Sequence, residues 1–452
     1  MIMKYRLFLV LFCSLFANLN LTAQEAPVNL SMSDAVELAL QNHLQIQIAE
    51  ASMDIARNNN SWEAAGRYPT ISLVVNGPNS YTDQSNPANV ALPESTSLAT
   101  GANGTLDATW VLFDGFKVRI SKEQLDLLEV QSQGNANVVV ENVIQNVILS
   151  YYLAKLTEEQ LAVVKEVLQL SADRVAYQNI RQEYGQASTF DILQTQDAFL
   201  SDSSNYLIQV ESYQNAIRNL NRAMGVNELQ TAYTLTDPLD SPPSVLDLEE
   251  LRQRLISGNT NLRNALINQQ LSSLNTDLAQ SNRAPRVSLS TGATYSLSVN
   301  KINAVNPFTM QEFGTATGKS FNAYANITAS YTIYSGGARQ RAIENALVQE
   351  QISYLNTQDL QQTLLLQLES AYGTYQNQLR LVELNKSLVE NARQNLAISE
   401  ERFKGGLINS FDYRTIQLSY INSNQALLNA VFNLKNTETT LMQLTGDLLR
   451  YN

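Results

Sequence analysis

Residues Arg286–Val299 read RVSLSTGATYSLSV. Val287, Leu289, Thr291, Ala293, Tyr295, Leu297 and Val299 share one parity; Arg286, Ser288, Ser290, Gly292, Thr294, Ser296 and Ser298 share the other. Side chains of a β-strand point alternately to its two faces, so this stretch predicts a strand with one largely apolar and one Ser/Thr face. The pattern returns after a gap. Phe321, Ala323, Ala325, Ile327, Ala329, Tyr331 and Ile333 oppose Asn322, Tyr324, Asn326, Thr328, Ser330 and Thr332. Weaker versions occur around Ile71, Leu73 and Val75, and around Leu106, Ala108, Trp110 and Leu112. Four strands are therefore expected, at about 69–77, 103–113, 286–299 and 320–334. The last two exceed the roughly 9–11 residues that a tilted strand needs to cross a bilayer.

A soluble β-sandwich with one wet face is the alternative. Against it, the strands come as two distant pairs, and their polar faces hold Ser, Thr and Asn with almost no Lys or Glu. Trp110, Tyr295, Tyr331 and Tyr334 stand where the aromatic girdles of a membrane barrel would lie. Four strands cannot close a barrel, because known membrane barrels start at about eight. Open sheet edges are not tolerated in lipid. Several copies of the chain must then share one barrel, and the residues alone allow two copies or three.

The prolines map the rest. Glu94–Asp237 and Phe308–Asn452 contain none. Proline breaks helix interiors, so these are the places where long helices can run. Landmarks recur across the two halves in the same order. Tyr68-Pro69 matches Ala284-Pro285, Phe113-Asp114-Gly115 matches Tyr334-Ser335-Gly336, and Tyr184-Gly185 before Asp191 matches Gly405-Gly406 before Asp412. The offset is roughly 220 residues, which points to duplication of one large unit over 24–237 and 238–452 and not to a short-period solenoid.

Each unit reads helix, strand, strand, long helix, break, helix. Ser31 and Asp34 are spaced as a capping pair for the first helix, and its counterpart is expected over about 248–283. The apolar series Val140, Val143, Ile144, Val147, Ile148 and Tyr151 has helical spacing. So does the series Leu364, Leu368, Ala371, Tyr375 and Leu379. The runs from Val118 to Tyr184 and from Arg339 to Lys404 would each be about 100 Å long as helix. Each returns through a second helix, giving two hairpins with tips near 185 and 406. Helices of that length with such spacing must pack in a coiled coil or bundle.

Composition excludes several classes of function. Charged residues are 16% of 452, against roughly 25% in ordinary soluble chains. Asn and Gln together number about 80 and carry much of the polarity. One reading is compositional bias; the other is a neutral, wettable wall along a water-filled channel. One Cys and one His leave no disulfide framework and no Cys/His zinc site. A net charge of −12 argues against nucleic acid as the main partner. No catalytic pair, phosphate loop or cofactor motif is present, so no cofactor and no enzymatic activity are expected. Met1–Ala23, with Lys4 and Arg6 before the apolar run Leu7–Phe16, reads as a signal peptide that contains Cys13.

Taken together these residues resemble the TolC-type outer membrane efflux protein family, over nearly the whole mature chain. Leu30–Asn42 looks like the family's opening helix. Phe113-Asp114-Gly115 and Tyr334-Ser335-Gly336-Gly337 look like its strand-to-helix turns, and Tyr184–Asp191 and Phe403–Asp412 like its two hairpin tips. The resemblance implies a fold that is mainly α with a transmembrane β portion. Three copies would form a 12-stranded outer-membrane barrel continued by a helical tunnel through the periplasm of a Gram-negative bacterium. It implies a passive exit duct that serves efflux or type I secretion. Outer membrane lipid, a periplasmic adaptor and an inner-membrane transporter would be its partners. Tyr184, Gly185, Gly405, Gly406 and Leu407 would form the adaptor-contacting tips. Asp412 matches the periplasmic gate acid, Asp191 a neighbouring acid that helps hold the closed state, and Thr415 stands where some members carry a second gate acid. Ile408 and Phe403 replace an Arg and a Tyr that lock the gate in some members, so closure here is expected to lean on packing. Both acids also suit a plain helix-capping role. The competing function is a secreted or surface coiled-coil binding protein with a small soluble β-domain. The cargo is not legible in the sequence.

Overall fold

The computed structural model describes residues 28–84, 94–240, 242, 245–306 and 308–450. The expected signal peptide over 1–23, with Cys13, lies outside these residues. The chain divides into two compact units. One comprises residues through 48, 137–259 and 363 to the end; the other comprises 49–136 and 260–362. The described chain is mainly helical, and among its residues no helix is long and apolar enough to cross a membrane.

In the first unit, β1 (Val28–Leu30) leads into α1 (Met32–Asn42). Ser31 caps this helix reciprocally with Asp34: its Oγ accepts from the Asp34 amide at 3.1 Å, and its own amide donates to Asp34 Oδ2 at 3.1 Å. β1 pairs in parallel with β5 (Tyr233–Leu235), a three-residue contact too short to leave a pattern in the sequence. Tyr151 fixes this corner. Its fully buried ring places a hydroxyl that donates to Leu30 O and accepts from the Asp237 amide, both at 3.0 Å. Val143, Ile144, Val147 and Ile148 share its helix face and are buried with it.

The two opening helices are each interrupted, and the expected single helix over 248–283 is corrected accordingly. α1 stops at the extended residue His43 before α2 (Leu44–Asn59). In the second half, α5 (Leu248–Gly258) stops at the extended residue Asn259 before α6 (Thr260–Ser281). Packing explains the interruption. Gly225 and Gly446, both left-handed, end the returning helices α4 (Thr189–Ala223) and α8 (Ser410–Thr445). A Cβ on Gly225 would lie 2.9–3.0 Å from the Asn42 and His43 backbone, and one on Gly446 would lie 2.4 Å from Gly258 O. Backbone meets backbone at both breaks, which only glycine permits. Asn259 Nδ2 also donates to Leu444 O at 3.0 Å.

The long helices are α3 (Lys117–Glu183) and α7 (Ala338–Lys404), 67 residues each.

The second unit holds the sheet. β4 spans Ser95–Phe113, β6 Arg286–Val305 and β7 Glu312–Ser330, all antiparallel neighbours. They exceed the expected spans at one end, and β7 stops before Tyr331 and Tyr334, so these two aromatics lie just beyond it. β2 (Thr70–Asn76) and β3 (Asn79–Gln84) lie end to end along β4. Gly77-Pro78 interrupts them, because proline has no amide to give the ladder, while Pro78 O accepts from Gly101 N at 2.9 Å. Five strands thus fill four strand positions. The register places Leu73, Leu106, Ala293 and Ala323 in one row, and Ser72, Asp107, Gly292 and Tyr324 in the next, on the opposite face. The Tyr324 hydroxyl donates to Asp107 Oδ1 across Gly292. On the apolar face Ile71, Leu73, Val75, Phe321 and Ile327 are 67–72% exposed. Among the described residues β2 and β7 are each bonded on one side only. A long sheet with a bare apolar face and two open edges is incomplete as a single chain.

Candidate functional site

Both hairpin tips lie in the first unit and are built by the same local chemistry. α3 ends at Glu183, and Gly185 turns the chain with φ +71°. Its amide donates to Gln182 O, and the Gln186 amide to Arg181 O, each at 2.8 Å. α7 ends at Lys404, and Gly406 turns with φ +68°. Its amide donates to Phe403 O at 3.0 Å, and the Leu407 amide to Arg402 O at 2.8 Å. These paired bonds close the last helical turn and require a left-handed residue, hence glycine. Gly405 precedes that position and is not left-handed. Tyr184 and Leu407 project fully from the two tips.

Each tip then starts a new helix. Ser188 caps α4 with its Oγ on the Asp191 amide at 3.2 Å; the Ser188 hydroxyl and amide donate to Asp191 Oδ2 at 2.7 and 3.0 Å. The hydroxyl first, and the amide second, hold the Asp191 carboxyl below the usual carboxylate range. Asn409 caps α8 by accepting from the Asp412 amide at 2.8 Å. The Asp412 carboxylate takes no part in that cap; it is exposed and engages no partner among the described residues. The two acids therefore differ. Asp191 is tied into its helix start, whereas the Asp412 carboxylate is exposed and unpaired among the described residues. Thr415 is also exposed, with its hydroxyl bonded back to Phe411 O at 3.1 Å.

Phe403 is buried. Its ring stacks on Tyr413 at 5.0 Å between centroids and meets the edge of Tyr177 at 5.4 Å. The Tyr177 hydroxyl donates to Lys404 O at 2.9 Å. Val167, Ala392, Leu396 and Tyr420 complete this apolar cluster, and Ile408 packs on its margin.

Beside the cluster lies a buried polar network that the sequence reading missed. Arg414 Nη1 and Nη2 donate to Asp202 Oδ2 and Oδ1 at 2.7 and 2.6 Å, and the Ser171 hydroxyl donates to the same carboxylate. Arg174 Nη1 donates to Gln417 Oε1 at 3.2 Å. Burial, then the neighbouring Arg414 charge, pushes the Arg174 guanidinium down to about 10. A signal was present. Val167, Ser171, Arg174 and Gln178 on α3, and Ser410, Tyr413, Gln417 and Tyr420 on α8, keep the spacing of an inward seam but turn polar. All eight are buried. The contact that joins the two helix starts is Thr195 Oγ1 to Ser410 Oγ, at 3.3 Å.

The aromatics expected at a membrane interface belong to the second unit. Trp110 Nε1 donates to Arg67 O at 2.8 Å, Tyr295 pairs with Phe321 across the sheet, and the Arg339 guanidinium lies 5.9 Å from the Tyr331 ring centre. Tyr334 is bare. No group of three or more metal-ligating side chains occurs among the described residues.

Residues 35–226 and 251–447 match the model of the family described as outer membrane efflux protein. The two segments correspond to the two halves of the chain. Solved structures share the fold. CusC superposes with a TM-score of 0.73 at 17% identity, over 93% of this chain and 93% of its own. VceC from Vibrio cholerae gives 0.70 at 16%, over 92% and 96%. The CmeC outer membrane channel of Campylobacter jejuni gives 0.69 at 16%, over 92% and 85%. No curated protein sequence matches the chain.

Proposed function

The chain belongs to the outer membrane efflux protein family, the TolC-type channels, and from that premise we propose that three copies of it form the exit duct of a tripartite efflux or type I secretion system. Family membership makes it a channel component and not an enzyme. The sheet is the observation that carries the reading. Four strand positions with an apolar outer face and two open edges cannot remain alone in lipid. Three such sheets supply twelve strands, within the range of closed outer-membrane barrels. The polar face of Ser, Thr, Asn and Asp107 then lines the lumen, and Trp110, Tyr295, Tyr331 and Tyr334 mark the membrane interfaces. The helical hairpins extend into the periplasm as a tunnel.

Tyr184, Gly185, Gly405, Gly406 and Leu407, at the two hairpin tips, are the surface offered to an adaptor bound to an inner-membrane transporter. Asp412, exposed and unpaired in the single chain, supplies a ring of three carboxylates at the gate. Such a ring favours cations and repels anions. Asp191 shapes the adjoining tip, and Thr415 leaves the gate with one acid per chain on α8. Fractionation of the native host tests this reading. The protein is expected in the outer membrane and as a trimer in mild detergent. A soluble monomer would instead support the secreted coiled-coil protein.

A further inference from the structure

We propose that the end of the sheet that leads into the helices carries a docking belt for anionic phospholipid headgroups, with basic side chains on the lipid phosphates and aromatic rings beside them. The proposal rests on the duct reading above. The pairing register brings four chain junctions to this one end: the entry to β2, the exit from β4, the entry to β6 and the exit from β7. Arg67 precedes β2, Lys117 and Arg119 follow β4, Arg283 precedes β6, and Arg339 and Arg341 follow β7. Arg286 and Lys122 add two more cations, and the only acids within 61–69, 114–122, 281–286 and 331–341 are Glu63 and Asp114. This surplus stands in a chain of net charge −12. The opposite rim has the other sign: Asp83, Glu94 and Glu312 lie at or beside the strand ends, and Lys301 and Lys319 are set back from them. Lys122 pairs with Asp126, but none of the first six cations is ion-paired among the described residues. Their partners are neutral. The Arg67 guanidinium lies 4.7 Å from the Trp62 ring centre, and that of Arg339 5.9 Å from the Tyr331 ring centre. Arg283 Nη2 donates to Gln340 Oε1 at 3.1 Å, and Arg341 Nη1 to Gly336 O at 3.2 Å. A guanidinium keeps its charge in such contacts and has further N–H donors to offer a phosphate.

The helix starts argue the same way. A helix N-terminus favours acids and disfavours cations. α4 and α8 follow that rule, with Asp191 and Asp412 in their first turns. α3 and α7 break it: neither has an acid in its first turn, and they open with Lys117 and Arg119, and with Arg339 and Arg341. A local rule broken with no carboxylate to compensate points to an anion from outside the chain, which the free helix amides would also attract. The exposed rings of Trp110, Tyr331 and Tyr334 mark the edge of the hydrocarbon, so the cations just beyond them sit at headgroup depth. Phosphatidylglycerol and cardiolipin fit best, because the ammonium of phosphatidylethanolamine offsets its phosphate. Closing three sheets into a ring sets β7 of one copy beside β2 of the next, so the belt continues from Arg339 and Arg341 to the next copy's Arg67.

Spin-labelled lipids test this directly. Trimers are reconstituted in phosphatidylcholine vesicles that contain spin-labelled phosphatidylglycerol or spin-labelled phosphatidylcholine, and the fraction of label immobilised at the protein is read for each. Wild type is expected to prefer phosphatidylglycerol by roughly fivefold for each cation that a headgroup engages. The preference should vanish when Arg67→Gln, Arg283→Gln, Arg339→Gln and Arg341→Gln are combined. It should persist in Arg263→Gln with Arg380→Gln, which removes exposed cations away from the rim. Equal immobilisation of both lipids by wild type, or an undiminished preference in the fourfold variant, would overturn the proposal. Should that variant fail to assemble, wild type still locates the belt: phosphatidylglycerol with a photoreactive headgroup is expected to crosslink to 61–69 and 331–341, and adducts absent from both would overturn the proposal. Wild-type protein that does not enter the vesicles at all would instead remove the duct reading itself.

Discussion

Arg414 grips Asp202 with both terminal guanidinium nitrogens, at 2.6 and 2.7 Å, across 212 residues of sequence. The pair is nearly sealed from water, with 4% of the Asp202 side chain and 16% of that of Arg414 exposed. Arg174 lies close enough to feel both charges. Asp202 is thus one acid serving two bases.

That imbalance orders the effects of substitution. Asp202→Ala leaves two buried cations, and the expected loss of stability is about 3–5 kcal/mol. Arg414→Ala leaves Asp202 with Ser171 and the charge of Arg174, so its cost is expected to be smaller, about 1–3 kcal/mol. Denaturant unfolding of detergent-held trimers, followed by helical circular dichroism, checks the order. Equal losses would show that Arg174 does not share the carboxylate.

Asp191 carries a pH signature. Its carboxyl is held below the ordinary range in the folded tip, so it stabilises the tip above the unfolded carboxyl range and loses that effect as pH falls through its folded value. Asp191→Ala is expected to loosen the start of α4 by about 1 kcal/mol at neutral pH. The difference from wild type should shrink below about pH 4. Amide exchange at Ile192 measures it. A difference that persists unchanged at acid pH would exclude the ionised cap.

Asp412 is expected to act on ions and not on folding. Asp412→Ala should weaken the block of single-channel current by divalent cations. Its effect on stability should be small, because Asn409 and not Asp412 supplies the side-chain cap. Unchanged block would place the constriction elsewhere.

Gly185 and Gly406 are left-handed and face open space, so a larger side chain there is strained without colliding with anything. Gly185→Glu or Gly406→Glu is expected to cost about 1–2 kcal/mol in the turn. Trimers should survive while export falls, because the altered surface is the one offered to the adaptor. Normal export by both variants would argue against docking at the tips.

Much of this was legible in the sequence because it is periodic. The alternation from Val287 to Val299 marks β6, and the series from Val143 to Tyr151 marks the buried face of α3. The cap at Ser31 announces itself through Asp34 three residues later, whereas at the first tip the N-cap is Ser188, with Asp191, read as a capping acid, at the third helical position. What was not legible depends on distant partners. The helix breaks at His43 and Asn259 have no proline, and they follow from the close approach of Gly225 and Gly446. β3 was hidden behind Pro78. The Asp202–Arg414 pair joins two helices whose sequences carry no sign of each other; only the polar turn in each inward seam hints at a buried network.

The central claim is that copies of this chain hold open a path through the outer membrane. Single-channel recording of the purified wild-type protein in a planar bilayer tests it most directly. Discrete, cation-preferring conductance steps from trimeric protein are the predicted result. Protein that inserts as a trimer and passes no current, or that stays soluble and leaves the bilayer silent, would contradict it.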